Sequence, residues 1–302
     1  MDGIYEALSP LIPKHRLVMD APMRDYTTFC VGGPADLLVD AASPEEIRAV
    51  LLACRKTGTK LTVVGNGSNL LVRDGGIRGV VLRIADHMAD IRAEGLDITA
   101  QAGATLSALS HAAAQAGLAG AVFCCGIPGT LGGAAVMNAG AYGGEMAQII
   151  RCVDALDGDG QAVRLCLEAL DYGYRRSALM ARGLIVTQVE LRLERGEREA
   201  LLAQMTELNR RRREKQPLTV PSAGSTFKRP KEGYASQMID EAGLRGASVG
   251  GAQVSEKHTG FLVNTGGATA KDVLALMAHV QDTVEARFGV RLEPEVRIIG
   301  EE

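Results

Sequence analysis

Gly126-Ile127-Pro128-Gly129-Thr130-Leu131-Gly132-Gly133-Ala134-Ala135-Val136-Met137-Asn138-Ala139-Gly140-Ala141-Tyr142-Gly143 is the stretch around which the chain is organised. Glycine and alanine crowd it, and polar side chains are sparse. Glycine lacks a Cβ and tolerates positive φ, so such a segment lets bare backbone approach a bulky ligand. Thr130 followed by Leu131–Val136 reads as an N-cap and a short helix of small residues, whose amides would face an anion such as a pyrophosphate. The same composition suits a tight helix–helix or helix–sheet contact. A second glycine loop, Gly65-Asn66-Gly67-Ser68-Asn69, lies upstream. It begins like a dinucleotide fingerprint but has Leu70 at the third glycine position, and no Gly-Lys-Ser/Thr of a P-loop follows. Its alternating glycines and short polar side chains can form a nest of N–H donors. Asn-Gly between two apolar runs equally signals a hairpin turn.

Around these loops the pattern is mixed α and β. Ser43-Pro44-Glu45-Glu46 carries an N-cap, a proline at the first helical position and a glutamate three residues after the cap. The helix that follows turns Ile47, Val50, Leu51 and Cys54 to one face and stops at Gly58. Leu61–Val64 then reads as a buried strand, giving a strand–helix–strand unit. Strands dominate residues 77–102, and Thr105 caps a helix to about Gln115. Asp157-Gly158-Asp159-Gly160 joins two strands as a hairpin. A charged helix spans about 197–215, and Pro217 and Pro221 break the chain after it. Beyond lie a helix near 234–242, strands near 248–254 and 260–264, a helix capped by Thr269 with Asp272 at its third position, and a closing strand Glu295–Ile299.

The 302 residues are too many for one ordinary core and fit two or three domains. Charged residues make up 23% and hydrophobic ones 46%, a globular composition. A net charge of −3 provides no basic field for nucleic acid or anionic membrane. Tryptophan is absent and aromatics are 4%, which disfavours base-stacking platforms. No apolar run is long enough to span a bilayer, and the first residues lack the pattern of a secretory signal, so the expectation is a cytoplasmic protein. The six cysteines (Cys30, Cys54, Cys124, Cys125, Cys152, Cys166) form no C-x-x-C pair and no zinc spacing. Reduced, mostly buried thiols are therefore expected.

Six motifs occur in order: Gly65–Leu70, Gly126–Gly143, Tyr174-Arg175-Arg176-Ser177, Pro221-Ser222-Ala223-Gly224-Ser225-Thr226-Phe227-Lys228-Arg229-Pro230, Lys257–Asn264 and Leu292-Glu293-Pro294-Glu295-Val296-Arg297. Together, from about Thr28 onward, they make the chain resemble the UDP-N-acetylenolpyruvoylglucosamine reductases (MurB), flavoenzymes of peptidoglycan synthesis. It is similar to the shorter type without an extra tyrosine-bearing loop. The resemblance implies an α+β chain: a two-subdomain FAD-binding fold of the vanillyl-alcohol-oxidase (PCMH) type over residues 1–84 and 85–205, then an α+β substrate domain over 206–302. It implies NADPH as co-substrate, FAD as cofactor and UDP-N-acetylglucosamine enolpyruvate as substrate. Hydride passes from reduced FAD to the enolpyruvyl methylene, and a serine protonates the neighbouring carbon. No nucleic acid or membrane partner is implied, and oligomeric state stays open. No histidine lies in either glycine loop, so the FAD is expected to be non-covalent.

The resemblance also distributes roles. Arg175 matches the family's catalytic arginine, suited to bidentate carboxylate binding, with Arg176 the rival one position on. Ser225 matches the proton donor, with Lys228 or a water relay as its helper. Glu295 matches the active carboxyl group; Glu293 shares its strand parity, so alternation alone does not separate them. Lys215 is assigned to the substrate diphosphate and Tyr174 to substrate binding. The rest of the run Arg210–Lys215 reads as a solvated helix face. Gly65, Asn66, Gly67, Ser68 and Asn69, with Pro128, Gly129, Thr130, Gly132 and Gly133, are implied as pyrophosphate and ribityl contacts, and Asn138, Ala139 and Gly140 as approaching the ring system. Arg229 stands where the family has a substrate-binding asparagine. His258 reads as structural, since nothing nearby completes a triad. Two other readings share some of these features. One is a different FAD oxidoreductase of the fold acting on a hydroxy acid or alcohol, and the other is a flavin-binding module without catalysis. Neither needs Arg175, Ser225 and Glu295 together.

Overall fold

The computed structural model describes the backbone of residues 1–302 and every side chain except that of Asp2. In chain order the first elements are α1 (Asp2–Leu8), β1 (Leu17–Pro22), β2 (Pro34–Asp40), α2 (Pro44–Thr57), β3 (Leu61–Val64), β4 (Leu70–Val72), β5 (Ile77–Arg83), β6 (Ile91–Glu94), β7 (Asp97–Gln101) and α3 (Leu106–Gln115). Next come β8 (Leu118–Ala119), α4 (Leu131–Met137), β9 (Gly140–Ala141), β10 (Gly144–Glu145), β11 (Ile150–Leu156), β12 (Ala162–Cys166), α5 (Ala178–Ala181), β13 (Ile185–Arg192), β14 (Glu194–Arg195) and α6 (Arg198–Lys215). The chain closes with α7 (Ala235–Glu241), β15 (Ser248–Val249), β16 (Ala252–Val254), β17 (Leu262–Asn264), α8 (Ala270–Phe288) and β18 (Arg297–Ile299).

The helix boundaries follow from side-chain chemistry. The Ser43 hydroxyl accepts the Glu46 amide at the start of α2, and Gly58 ends it in the left-handed conformation at φ 67°. Thr105 caps α3 through the Ala108 amide. Thr269 and Asp272 form a reciprocal capping box on α8, and Gly289 closes it. Thr130 departs from this pattern. It precedes α4, yet its side chain makes no cap hydrogen bond.

Two compact units emerge. The first comprises residues 1–18, 37–66 and 79–212, and the second residues 19–36, 67–78 and 213–302. Unit 1 holds the antiparallel sheet β12-β11-β13-β7-β6 and the parallel pair β3–β5, where Leu61 lies opposite Val80. Its core runs from Ile4, Leu37, Ile47 and Val50 through Leu82, Ile98 and Leu131 to Val189 and Leu191. Unit 2 packs Phe29, Val31, Leu71, Phe227 and Ile239 with the inner face of α8, namely Val273, Leu276, Val280 and Val284.

Four expectations need correction. The apolar run at 248–254 is not one strand: it folds back at Gly250-Gly251, pairing Val249 with Ala252. The closing strand starts at Arg297, so Glu293 and Glu295 precede it. The loop Gly65–Asn69 is no hairpin turn, because β3 pairs with β5 while β4 pairs in parallel with β18. The thiols are not all reduced. Cys152 and Cys166 stand opposite each other on β11 and β12 and are joined by a disulfide; most of the six cysteines are buried as expected, with Cys30 and Cys166 exposed.

Candidate active site

In unit 1 the two glycine loops meet at Gly65 and Thr130. A methyl group on Gly65 would overlap the Thr130 hydroxyl and lie 3.2 Å from its Cγ2. The buried Thr130 side chain thus spends its hydroxyl against bare backbone instead of capping α4. The amides of Leu131 and Gly132 donate to the carbonyls of Ala104 and Ala102, both at 2.8 Å. Those two amides are therefore committed to the protein, contrary to the expectation that they face an anion. Gly133 remains exposed.

Asn138 ends α4 in the left-handed region at φ 45° and is 1% exposed. Its Nδ2 donates to Gly173 O (3.2 Å) and its Oδ1 accepts the Ala147 amide (2.9 Å). The side chain ties the end of the small-residue helix to the turn Gly173–Arg176. Arg175 sits in that turn at φ 54°, a conformation that costs a non-glycine residue about 1 kcal/mol. Its guanidinium lies 4.9 Å from the centroid of the exposed Tyr174 ring, and Nη1 donates to Asn138 O at 3.4 Å. Arg175 is half-buried, whereas Arg176 is exposed and faces Asp171 at 3.5 Å. Ser177 ends the motif by donating to Val136 O (2.6 Å) and capping α5 through the Met180 amide.

In unit 2, Gly67 (φ 62°) passes so close to Tyr26 O that no side chain fits. The half-buried Asn69 donates through Nδ2 to Glu295 O (3.2 Å), and its own carbonyl accepts the Arg297 amide (3.0 Å). The Glu295 amide donates to Thr226 O at 2.8 Å, and the Thr226 hydroxyl accepts the Leu262 amide. Ser225, exposed beside Gly224 at φ 76°, therefore adjoins the residue that anchors Glu295. Exposure separates the two glutamates: Glu295 is half-buried, while Glu293 is exposed and pairs with Lys228 Nζ at 3.0 Å. Lys215 is the exposed last residue of α6, and Ser68 is half-buried. His258 accepts the Gly260 amide at Nδ1 and packs edge-on against Phe261 at 5.0 Å. Burial, with Arg245 nearby, pushes its pKa down.

The basic run on α6 is not uniformly solvated. Arg210 and Arg211 pair with Glu207, but Arg212 turns inward. Burial lowers its pKa, its Nε is buried without a partner, and its Cδ presses on Gly126. Helical spacing carried that signal, since Met205, Asn209 and Arg212 share a face.

Neither glycine loop contains a carboxylate, and at Gly133 the absent side chain leaves exposed backbone with room beside it. This donor set of amides and small polar groups fits a dinucleotide diphosphate. Among the described residues no group of three or more His, Cys, Asp or Glu side chains could hold a metal ion. No helix among them is long and apolar enough to cross a membrane.

Comparison with known proteins agrees with these features. A family described as "FAD binding domain" matches residues 35–165, and one described as "UDP-N-acetylenolpyruvoylglucosamine reductase, C-terminal domain" matches residues 216–299. The UDP-N-acetylenolpyruvoylglucosamine reductase of Clostridium botulinum (strain Hall) is 48% identical over 292 residues, covering 97% of this chain and 95% of its own. That of Clostridium perfringens (strain SM101) is 47% identical over 296 residues, covering 98% and 97%. The crystal structure of the Thermus caldophilus reductase (MurB) matches with a TM-score of 0.80 at 40% identity, covering 93% of this chain and 97% of that one. An alkyldihydroxyacetonephosphate synthase shares the fold at a TM-score of 0.52 and 16% identity, over 65% of this chain and 41% of its own. The FAD-binding fold, its loops and likeness along almost the whole chain lead to one conclusion: this chain belongs to the family of UDP-N-acetylenolpyruvoylglucosamine reductases, FAD-dependent oxidoreductases.

Proposed function

We propose that the chain reduces the enolpyruvyl ether of UDP-N-acetylglucosamine to UDP-N-acetylmuramate, with FAD as cofactor and NADPH as hydride source, in peptidoglycan synthesis. The observation that carries this reading is the 48% identity over 97% of the chain to a reductase of that name. FAD, when bound, supplies hydride transfer between the nicotinamide and the enolpyruvyl methylene. The loops Gly65–Asn69 and Pro128–Gly133 hold its diphosphate and ribityl chain, through backbone amides other than those of Leu131 and Gly132, with Asn138, Ala139 and Gly140 toward the rings. Arg175 binds the substrate carboxylate, where negative charge accumulates when the methylene accepts hydride. Its left-handed backbone and its hydrogen bond to Asn138 O favour this role, since they restrict where the guanidinium reaches. Ser225 holds the proton delivered to the neighbouring carbon, and Glu295 supports charge at the carboxylate. Lys215 and Tyr174 bind the remainder of the substrate. In domain terms, residues 1–84 and 85–205 serve the cofactor and 206–302 the substrate. The same reading assigns the enzyme to the cytoplasm, where NADPH and nucleotide sugars occur.

The test is an anaerobic stopped-flow spectrum of the FAD-loaded protein. NADPH should bleach the flavin absorbance, and the enolpyruvyl sugar should restore it. Ser225→Ala should leave bleaching intact and slow product formation by about 10²–10⁴-fold. Bleaching without recovery would show that another acceptor is used. Unchanged turnover in Ser225→Ala would remove the serine from the proton-donating role.

A further inference from the structure

Cys152 and Cys166 face each other in register on antiparallel strands, and β12, which carries Cys166, is the edge strand of its sheet. Cys152 is 5% exposed, whereas Cys166 is exposed. The hairpin holds the two residues opposite each other independently of the bond between them. The register continues without a slip from the cysteines to Leu156 and Ala162. Its turn is closed by Asp157, whose amide donates to Gln161 O and whose Oδ1 accepts the amides of Asp159 and Gln161. Around the pair lie Arg164, two residues from Cys166 on the same strand face, and Glu190, directly opposite Cys152 on β13. Arg164 is tied to Asp154 and Glu190, Arg151 to Glu190 and Asp97, and Arg192 to Asp97, so three arginines balance three carboxylates in the network about the sulfurs.

We propose that Cys152–Cys166 is a site of reversible thiol–disulfide exchange, entered at the exposed Cys166 sulfur and resolved by Cys152. In the reducing direction a thiolate attacks Cys166 Sγ, and the S–S bond breaks with its electron pair leaving on Cys152 Sγ. A second thiol of the reductant then displaces Cys166. Two electrons and two protons are taken up, and the reductant ends as a disulfide. In the oxidising direction, oxidised glutathione accepts attack from Cys166 and releases one glutathione. Cys152 then displaces the second and closes the bond. Because the hairpin keeps Cys152 opposite, a mixed disulfide on Cys166 does not persist in the intact chain.

The test is peptide mapping by mass spectrometry of the folded, full-length protein. After equilibration with oxidised glutathione, the 152–166 link should be present, and dithiothreitol acting on the native protein should open it with far-UV circular dichroism unchanged. In Cys152→Ser, oxidised glutathione should leave its adduct on Cys166. In Cys166→Ser, adduct on the shielded Cys152 should form at least about tenfold more slowly. Cys54 and Cys124 serve as internal controls: both are buried, and burial pushes their thiols up to about 11 and about 12. Exposed Cys30 is followed as its own peptide. A link that fails to form with oxidised glutathione, one that opens only after unfolding in guanidinium, or equal labelling in the two variants would overturn the proposal. None of these readouts depends on turnover, so failure of the reductase reading would leave the result intact.

Discussion

The contact between Gly65 and Thr130 gives a quantitative test of how the glycine loops are built. A methyl group at residue 65 would overlap Thr130 Oγ1 and lie 3.2 and 3.3 Å from Cγ2 and Cβ. Thr130 is 4% exposed and bridges to Thr105, so it has little room to yield. Overpacking of this kind costs about 1–3 kcal/mol. Alanine's smaller unfolded-state entropy recovers about 0.4–1 kcal/mol, because Gly65 does not sit at positive φ. Gly65→Ala should therefore lose roughly 0.5–2 kcal/mol net. Thr130→Ala removes Oγ1 and Cγ2 and leaves only Cβ in tolerable contact, so adding Gly65→Ala to that background should be neutral or slightly stabilising. The difference between the two steps is a coupling of about 1–3 kcal/mol. Urea unfolding of the four proteins measures it, and FAD titration reads the same misfit as a rise in Kd of up to about tenfold that Thr130→Ala relieves. An equal cost in both backgrounds would refute the contact as the cause.

Two other perturbations probe buried polar groups. Arg16 and Glu46 form a two-pronged pair at 2.6 and 2.7 Å, with side chains 9% and 16% exposed. Glu46→Gln leaves the guanidinium uncompensated and should cost about 3–5 kcal/mol at pH 7. Desolvation pushes the Glu46 carboxyl up, but the Arg16 hydrogen bond, the Ala42 amide and the Arg16 charge outweigh it and hold the carboxyl below its ordinary value. The stability it contributes is thus complete above about pH 4.3 and is lost as pH falls through the lower folded value. The gap between wild type and Glu46→Gln in chemical denaturation should narrow in acid; a gap of equal size at pH 7 and pH 3 would contradict this. Asn138→Ala removes two buried hydrogen bonds and places alanine at φ 45°, which should cost about 2–4 kcal/mol. Asn138→Gly should recover the backbone part only. Equal stability of the two variants in urea would show that the backbone conformation is not strained.

Helix termini were readable from the chain because their causes are local. Ser43, Gly58, Thr105, Thr269 and Asp272 do what their types and spacings dictate, whereas the Glu46 carboxylate takes the Ala42 amide and Arg16 instead of reaching back to the Ser43 amide. The loop at Gly65–Asn69 was ambiguous because a hairpin and a crossover have the same local signal, while the pairing of β4 with β18 is set far downstream. Thr130 reads as a cap by residue type, yet the approach of Gly65 claims its side chain. Glu293 and Glu295 could not be divided by alternation because both precede the strand, where the Phe227–Pro294 bridge sets exposure instead. The Cys152–Cys166 bond has no spacing signature, since it depends on the register of a hairpin. Arg212 was hidden inside a charged run, and only the helical period of α6 distinguishes it from Arg211.

The pairing of β4 with β18 constrains how the protein can be made. Asn69 and Glu295, joined beside these strands, are 226 positions apart, and the chain passes between the two units five times. A nascent chain emerging from the ribosome carries Leu70–Val72 without a partner until Arg297–Ile299 has been synthesised. The β4–β18 pair of unit 2 therefore forms only after Arg297–Ile299 has been made, and until then Leu70–Val72 presents an unpaired strand edge to proteases and chaperones. A break in the chain anywhere ahead of β18 would leave the same edge open, so a late stretch of sequence is what protects an early strand.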